Sequence, residues 1–238
     1  RRDRGQPVMS PVLDSALDPT ITEQASTADR VWDLFLYLAI GVLAFVVVLV
    51  LYIVIRYRRR DDRLPRQKHY NIPLEVTYTA IPFVVIVGLF AVTLVSINDV
   101  DQTNDDPDLE VHVTAFQWQW EFEYPESGVR IIGGAGDDIP ELVLPADSSV
   151  SFELESLDVI HSFWLTAFRF KRDIIPGTVT EFSVDMDSDS AGSYPNAGVC
   201  AEYCGLDHAL MQFSVLVLEP DEFDAWLADQ PTTEETTS

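Results

Sequence analysis

The chain has 238 residues and a formal charge of −24, and the imbalance is one-sided: residues 98–238 carry 30 acidic against 4 basic residues, residues 1–97 carry 9 against 11. A domain this acidic repels phosphates, which excludes nucleic acid as its partner. Lysine occurs only at Lys68 and Lys171, a composition that suits high salt, where self-repulsion is screened, the rival reading being an acidic docking face in ordinary salt.

Residues 1–28 are polar and proline-bearing and read as an exposed N-terminal segment without the apolar core of a signal peptide. The chain opens on Arg1-Arg2-Asp3 rather than Met, as it would after removal of a leader or in a truncated sequence. Leu34 to Ile55 and Val76 to Ile97 are uncharged runs of 22 residues each. A hydrocarbon core of about 30 Å takes about 20 helical residues, so a transmembrane hairpin is expected over 29–98, with spans at about 32–56 and 74–97. Pro82 and Gly88 are tolerable inside a membrane helix, where neighbours satisfy freed backbone groups. Between the runs, residues 56–68 hold seven of the 15 basic residues. The positive-inside rule puts this loop in the cytoplasm, and both termini and the acidic domain outside the cell membrane. The same cluster can bind anionic lipid headgroups. Glu75 precedes the second run, where an acid favours a helix N-terminus.

Residues 98–109 form a polar linker. Beyond it the pattern alternates: Val111, Val113 and Ala115; Val150, Phe152 and Leu154; Val179 and Glu181 to Val184; Phe213, Val215 and Val217. Short alternating segments broken by Gly, Pro and Asp predict a β-sandwich with one buried face per strand, over 99–230. The fold class is therefore an α+β membrane protein, a two-helix hairpin followed by a sandwich. Phe116, Trp118, Trp120, Phe122 and Tyr124 occupy every second position, and strict alternation would bury all five on one strand face. Pro176-Gly177 marks a turn. Asp221 to Ala228 reads as a closing helix with Phe223, Trp226 and Leu227 on one face. Residues 231–238 read as a disordered tail. His69 and His112 read as a surface and a strand histidine, and Met9 and Met186 receive no role.

The densest chemistry lies in Cys200-Ala201-Glu202-Tyr203-Cys204-Gly205-Leu206-Asp207-His208-Ala209-Leu210-Met211, which gathers both cysteines, one of four histidines and one of three methionines. Thiolate, imidazole and thioether are donors that copper prefers. A Cys200–Cys204 disulfide, or a zinc site completed elsewhere, is the plainer reading. A disulfide, however, does not require His four and Met seven residues beyond the second cysteine.

C-x-E-x-C-x-x-x-H-x-x-M resembles the ligand loop of the dinuclear copper A centre in subunit II of haem-copper cytochrome oxidases, and Asp158-Val159-Ile160-His161-Ser162-Phe163-Trp164 resembles the segment that carries the family's distant histidine. The resemblance implies a cupredoxin-like Greek-key sandwich in which Cys200 and Cys204 bridge two coppers. His161 and Met211 would serve one copper, His208 and the backbone carbonyl of Glu202 the other. The Glu202 carboxylate would reach a magnesium shared with subunit I. Gln117-Trp118-x-Trp120 is similar to the family's aromatic stretch, where a bulge or bend brings one Trp to the surface; Trp118 would be the electron entry point, with Glu123 and Asp158 flanking the docking site. Glu75 to Pro82 resembles E-x-x-W-T-x-x-P with Tyr78 in place of Trp, which implies a place for Glu75 at the entrance of a proton channel of subunit I. Lys171 to Gly177 resembles K-x-D-x-x-P-G, placing Lys171 and Asp173 near the subunit I interface. His161 and Cys200 stand 39 apart, a few residues beyond the family's spacing, with the excess in Asp185 to Ser190 or Pro195 to Gly198.

The chain would thus take electrons from an external cytochrome c or blue copper protein and pass them to the haem of subunit I. Neither apolar run contains a histidine, so haem and copper B must belong to subunit I, with subunit III a further partner. The acidic, lysine-poor surface adds a halophilic archaeal source. A quinol-oxidising relative would lack the copper ligands, and a tethered binding module would hold a disulfide instead of metal.

Overall fold

The structure is a computed structural model and describes residues 20–59, 68–136 and 138–231. It divides into two units, Thr27–Asp101 and the residues up to Ser26 together with those from Gln102 onward. The N-terminal residues 1–19, most of the basic loop (60–67) and the tail from 232 lie outside the described residues.

The first unit is a helical hairpin. Helix α1 (Glu23–Arg56) has 34 residues and helix α2 (Ile72–Val100) has 29, about 50 and 44 Å at the α-helical rise of about 1.5 Å per residue. Apolar side chains stand exposed all along them, Leu43, Phe45 and Val54 on α1 and Phe83, Val84 and Val95 on α2, and α2 buries no residue. Helices of this length with apolar residues on every face fit lipid as their solvent. The chain is a membrane protein. Asn71 caps α2 by accepting from Leu74 N at 3.4 Å, and Glu75 reaches back to accept from Asn71 N at 2.9 Å. Glu75 is thus part of a reciprocal cap. Thr27 Oγ1 donates to Asp99 Oδ2 at 2.8 Å and ties the two helices together.

The second unit is a sandwich of two five-stranded sheets. The strands are β1 (Leu109–Phe116), β2 (Gln119–Tyr124), β3 (Val129–Gly134), β4 (Glu141–Pro145), β5 (Ser149–Ser156), β6 (His161–Leu165), β7 (Phe170–Ile174), β8 (Thr180–Asp185), β9 (Gly192–Cys200) and β10 (Gln212–Leu218). The sheets run β3-β2-β1-β5-β8 and β4-β10-β9-β6-β7. Among the described residues, pairing is parallel only for β1 with β5 and β4 with β10. Alternation puts Val111, Val113, Val150, Phe152 and Leu154 inward from one sheet and Phe163, Phe213, Val215 and Val217 from the other. Phe163 stacks on Phe213 and Phe152 on Phe182, each pair with centroids 5.0 Å apart. Helix α3 (Pro220–Ala228) closes the unit with Phe223 buried and Trp226 edge-on to Tyr124.

The β9–β10 pairing carries a bulge: Gly198 faces Phe213 and Tyr194 faces Val215, so β9 advances four residues where β10 advances two. The irregularity falls within Pro195 to Gly198, and β9 returns to regular pairing before Cys200. Gly198 is required there, because a Cβ would lie 2.1 Å from the Phe213 ring.

Two expectations need correction. Residues 21–25 are not an exposed approach: Ile21 and Ala25 are buried and Thr22 bridges to Met186. Gln24 exchanges hydrogen bonds with Asp185, donating to its carboxylate at 2.7 Å and accepting from its backbone N–H at 2.9 Å. Ile21 is buried just before helix α1 and Ala25 in its first turn, while Gln24 covers the free edge of β8. The aromatic run from Phe116 to Tyr124 is likewise not one continuous strand. Phe116 pairs with Gln119, so Gln117-Trp118 is a two-residue hairpin turn, with a cis bond between its residues. Trp120, Phe122 and Tyr124 are buried, whereas Phe116 and Trp118 leave that face.

Candidate metal centre

Antiparallel pairing brings the start of β6, the end of β9 and the start of β10 to one end of the second sheet. His161 is the first residue of β6 and Cys200 the last of β9. Two backbone bonds extend the sheet beyond its pairs: Ala201 N donates to Ser162 O, and Cys200 N to Met211 O, both at 3.0 Å. The loop between Cys200 and Met211 therefore leaves and re-enters rigid strands. A single 3-10 turn (His208–Leu210) orders its second half.

Six donor atoms converge here. Cys200 Sγ lies 3.8 Å from Cys204 Sγ, 3.8 Å from His161 Nδ1 and 3.3 Å from the carbonyl oxygen of Glu202. Cys204 Sγ lies 3.6 Å from His208 Nδ1 and 3.8 Å from Met211 Sδ. His161, Cys200, Cys204 and Met211 are buried, and His208 and Glu202 are half-buried. The sulfurs stand far beyond the disulfide length of about 2.05 Å, and both cysteines are free. Metal–thiolate bonds run near 2.3 Å, so a single ion can touch both sulfurs. Two thiols, two imidazoles, a thioether and a carbonyl are a soft-to-borderline set that fits copper.

The two thiols are not equivalent. Burial disfavours the Cys200 thiolate, but the His161 imidazole and the neighbouring backbone groups outweigh it and lower its pKa. Burial and the adjacent Cys200 push Cys204 upward. Burial also works against charge on His161, yet Cys200 and Asp158 together raise its pKa. In Asp158 the cost of burial is overcome by bonds from His161 and from the Gln117 and Val159 amides, which hold its carboxyl below the usual range.

The turn of the first sheet presses on the ligand loop. Gln117 Nε2 donates to the Cys204 carbonyl at 2.7 Å and Trp118 Nε1 to the same oxygen at 3.3 Å. Gly205 sits at φ +127°, and a Cβ there would be 3.0 Å from the Trp118 ring. Trp118 is half-buried against the core, one hydrogen bond from a cysteine of the cluster. On the solvent side of the loop, Tyr203 and Leu206 are 80% and 85% exposed. The Glu202 carboxylate lies 4.0 Å from Lys171 Nζ, while Asp173 pairs across the β6–β7 ladder with Ser162. Glu123 is occupied by Arg130 at 2.9 Å.

Sequence reasoning missed two partners in this site. Gln117 has no motif of its own. Asp158, expected only as a docking acid, binds His161 directly, its Oδ1 lying 2.9 Å from Nε2. The spacing Asp-x-x-His was the available signal, and it is drowned by 39 carboxylates in the chain.

Residues 137–218 match the sequence family described as cytochrome c oxidase subunit II, periplasmic domain, and residues 13–98 match the family's transmembrane domain. Cytochrome c oxidase subunit 2 of Alkalihalophilus pseudofirmus is 35% identical over 90% of this chain and 61% of the relative. That of Mycobacterium bovis is 31% identical over 87% of this chain and 72% of the relative. The crystal structure of the periplasmic domain of subunit II of cytochrome oxidase from Bradyrhizobium japonicum is 29% identical, spans 57% of this chain and all of its own, and has a TM-score of 0.49. With both halves of its length matched by one family, the chain belongs to the cytochrome c oxidase subunit II family and is a component of an oxidoreductase complex.

Proposed function

We propose that this chain is the electron-entry subunit of a respiratory haem-copper oxidase and holds a dinuclear copper A centre. Cys200 and Cys204 would bridge the two ions, with His161 and Met211 on one and His208 and the Glu202 carbonyl on the other. The observation that carries this reading is the convergence of all six donors, from three strand ends and one loop, around two unlinked sulfurs 3.8 Å apart. Copper bound there would supply a one-electron couple shared between two metals and two thiolates.

The chain's own residues would do the rest. Strand ends fix His161 and Cys200, and burial of both thiols keeps water away, so little rearranges when the charge changes. Trp118 would receive the electron from an external cytochrome c or blue copper protein, docked against Trp118 and the exposed Leu206, and the chain would pass it to the haem of subunit I. Haem and copper B belong to subunit I, where oxygen reduction would be coupled to proton translocation, with subunit III a further partner. The Glu202 carboxylate, left over once its carbonyl is used, would take a magnesium shared with subunit I. Glu75, whose observed bond is a helix cap, would sit at the mouth of a proton channel of subunit I. By the positive-inside rule the basic loop would be cytoplasmic, with Glu75 on that side of the cell membrane and both termini and the copper domain outside.

The test is copper loading of the full chain in detergent, followed by a copper count and electron paramagnetic resonance. Two coppers per chain with one unpaired electron shared equally by both nuclei is the expected result. A folded chain that binds no copper, or one copper with a mononuclear spectrum, overturns the reading.

A further inference from the structure

The carboxylate of Asp158 touches both sides of the centre. Its Oδ1 lies 2.9 Å from His161 Nε2, and its Oδ2 accepts from the backbone N–H of Gln117 at 2.7 Å. His161 is fully buried with Nδ1 directed at Cys200. Gln117 opens the turn that carries Trp118, and its side chain and the indole both bind the Cys204 carbonyl. Asp158 itself is held in the β5–β6 connection: it accepts from Val159 N at 2.6 Å, and its own N–H donates to Ser156 Oγ at 3.3 Å. Leu157 N donates to Ala115 O at 3.1 Å, which fastens the connection to β1. This is not the placement of an acid that merely colours the surface.

We propose that Asp158 is a positioning residue for both ends of the electron route, keeping the proton of His161 on Nε2 so that Nδ1 is free to bind metal, and anchoring the Gln117–Trp118 turn over the ligand loop. An imidazole has one N–H when neutral, and the partner of one nitrogen decides which nitrogen is left as a ligand. A carboxylate can only accept, so Asp158 selects the Nε2–H tautomer. A single rigid side chain then sets the orientation of a ligand and the position of the entry residue together. The inference rests on the copper reading for its consequence, but its first readout needs no metal.

The experiment uses the full chain in detergent, labelled with ¹⁵N in histidine, tryptophan and glutamine, as wild type, Asp158→Asn and Asp158→Ala, with Glu123→Gln as a control for loss of one acidic charge. Wild type should show His161 protonated at Nε2. In Asp158→Ala the His161 nitrogens, the Gln117 amide and the Trp118 indole N–H should all shift. Asn has one acceptor oxygen where the carboxylate serves three donors, His161 and Val159 on Oδ1 and Gln117 on Oδ2, so the His161 nitrogens or the Gln117 amide should shift in Asp158→Asn, a variant of unchanged volume that decides the matter if the alanine variant does not fold. Glu123→Gln should move neither. After copper loading, both Asp158 variants should bind copper about 10–100-fold more weakly and show a raised reduction potential, since a negative charge beside a ligand has been removed. A folded Asp158→Asn chain with all these resonances and the potential unchanged overturns the inference and leaves Asp158 a surface acid. A wild type with the expected tautomer but no copper leaves the positioning role standing and removes the function proposed for the centre.

Discussion

The ligand end of the sandwich and its acidic surface use the same kinds of side chain to opposite effect. At the ligand end, Asp158, His161, Cys200, Cys204 and His208 converge and each has a partner within 4 Å. On the outer face of the first sheet, Glu110, His112 and Glu153 also come together, with His112 Nε2 3.2 and 3.8 Å from the two carboxylates. That trio is exposed or half-exposed, contains no sulfur, and is explained as a solvent-screened polar contact worth little. Further along the face, Glu153 stands directly opposite Glu181, a like-charge pairing that a functional cluster would need to compensate. Proximity of titratable groups does not make a site. Burial, rigid origin on strand ends and a mixed donor set separate the two regions.

The sharpest way to break the contrast is at a bridging thiol. Cys204→Ser should abolish dinuclear copper binding altogether, read as copper count and loss of the shared-electron spectrum. His112→Ala on the outer face should leave both unchanged. If His112→Ala reduced copper binding by the centre, the distinction drawn between the regions would fail.

Trp118→Phe tests the next link. The indole N–H bond to Cys204 O is lost, but no donor atom of the cluster is touched. Copper content and spectrum should be retained while the rate of electron uptake from a reduced donor falls at least about tenfold, about 1.4 kcal/mol in the barrier. Unchanged uptake would move the entry point elsewhere.

Tyr124 is buried at the end of β2, against β4 and α3. Its hydroxyl donates to Val143 O at 2.9 Å and accepts from Val143 N at 3.0 Å, and burial raises its pKa. Tyr124→Phe leaves both β4 groups short of a partner and should cost about 1–3 kcal/mol of stability. The measurement is the unfolding midpoint, with the copper spectrum unaltered.

Much of this was legible in the sequence, for physical reasons that differ by region. The hairpin is visible because 22 uncharged residues have few other uses. The sandwich is visible where strands bury one face, as in β1, β5 and β10. The donor set is visible because Cys200 to Met211 is local in sequence. What failed is what depends on long-range contact. The Gln117–Trp118 turn has no Gly, Asn or Asp to announce it, so alternation alone reads the aromatic run as continuous, and only the resemblance through Gln117-Trp118-x-Trp120 points to a bend there. Ile21 and Ala25 looked like part of a polar segment because the β8 edge that their neighbour Gln24 binds lies 161 residues away in the chain. The Asp158–His161 bond was hidden by composition, since one carboxylate among many carries no signal until its neighbour is placed.

The smallest effect concerns surface charge itself. Burial, with help from Asp189 and Glu23, raises the pKa of Asp187 above its ordinary 3.8. A carboxyl that is harder to ionise in the folded than in the unfolded chain retains its proton longer when folded, so its contribution falls as pH rises from about the unfolded value through the raised one. Above that window the penalty is constant. Asp187→Asn should therefore stabilise the chain at neutral pH and have no effect at a pH below both values. The group is only half-buried, and solvent screens it, so the gain at low salt should be small, about 0.2–1 kcal/mol. The part due to Asp189 and Glu23 should vanish in molar salt, where the Debye length is about 3 Å. Unfolding midpoints at pH 7, in dilute and molar salt, measure both parts. A gain that persisted undiminished in molar salt would assign the shift to burial alone and would place Asp187 with the partnered groups of the ligand end, rather than with the screened charges that make up the rest of the acidic surface.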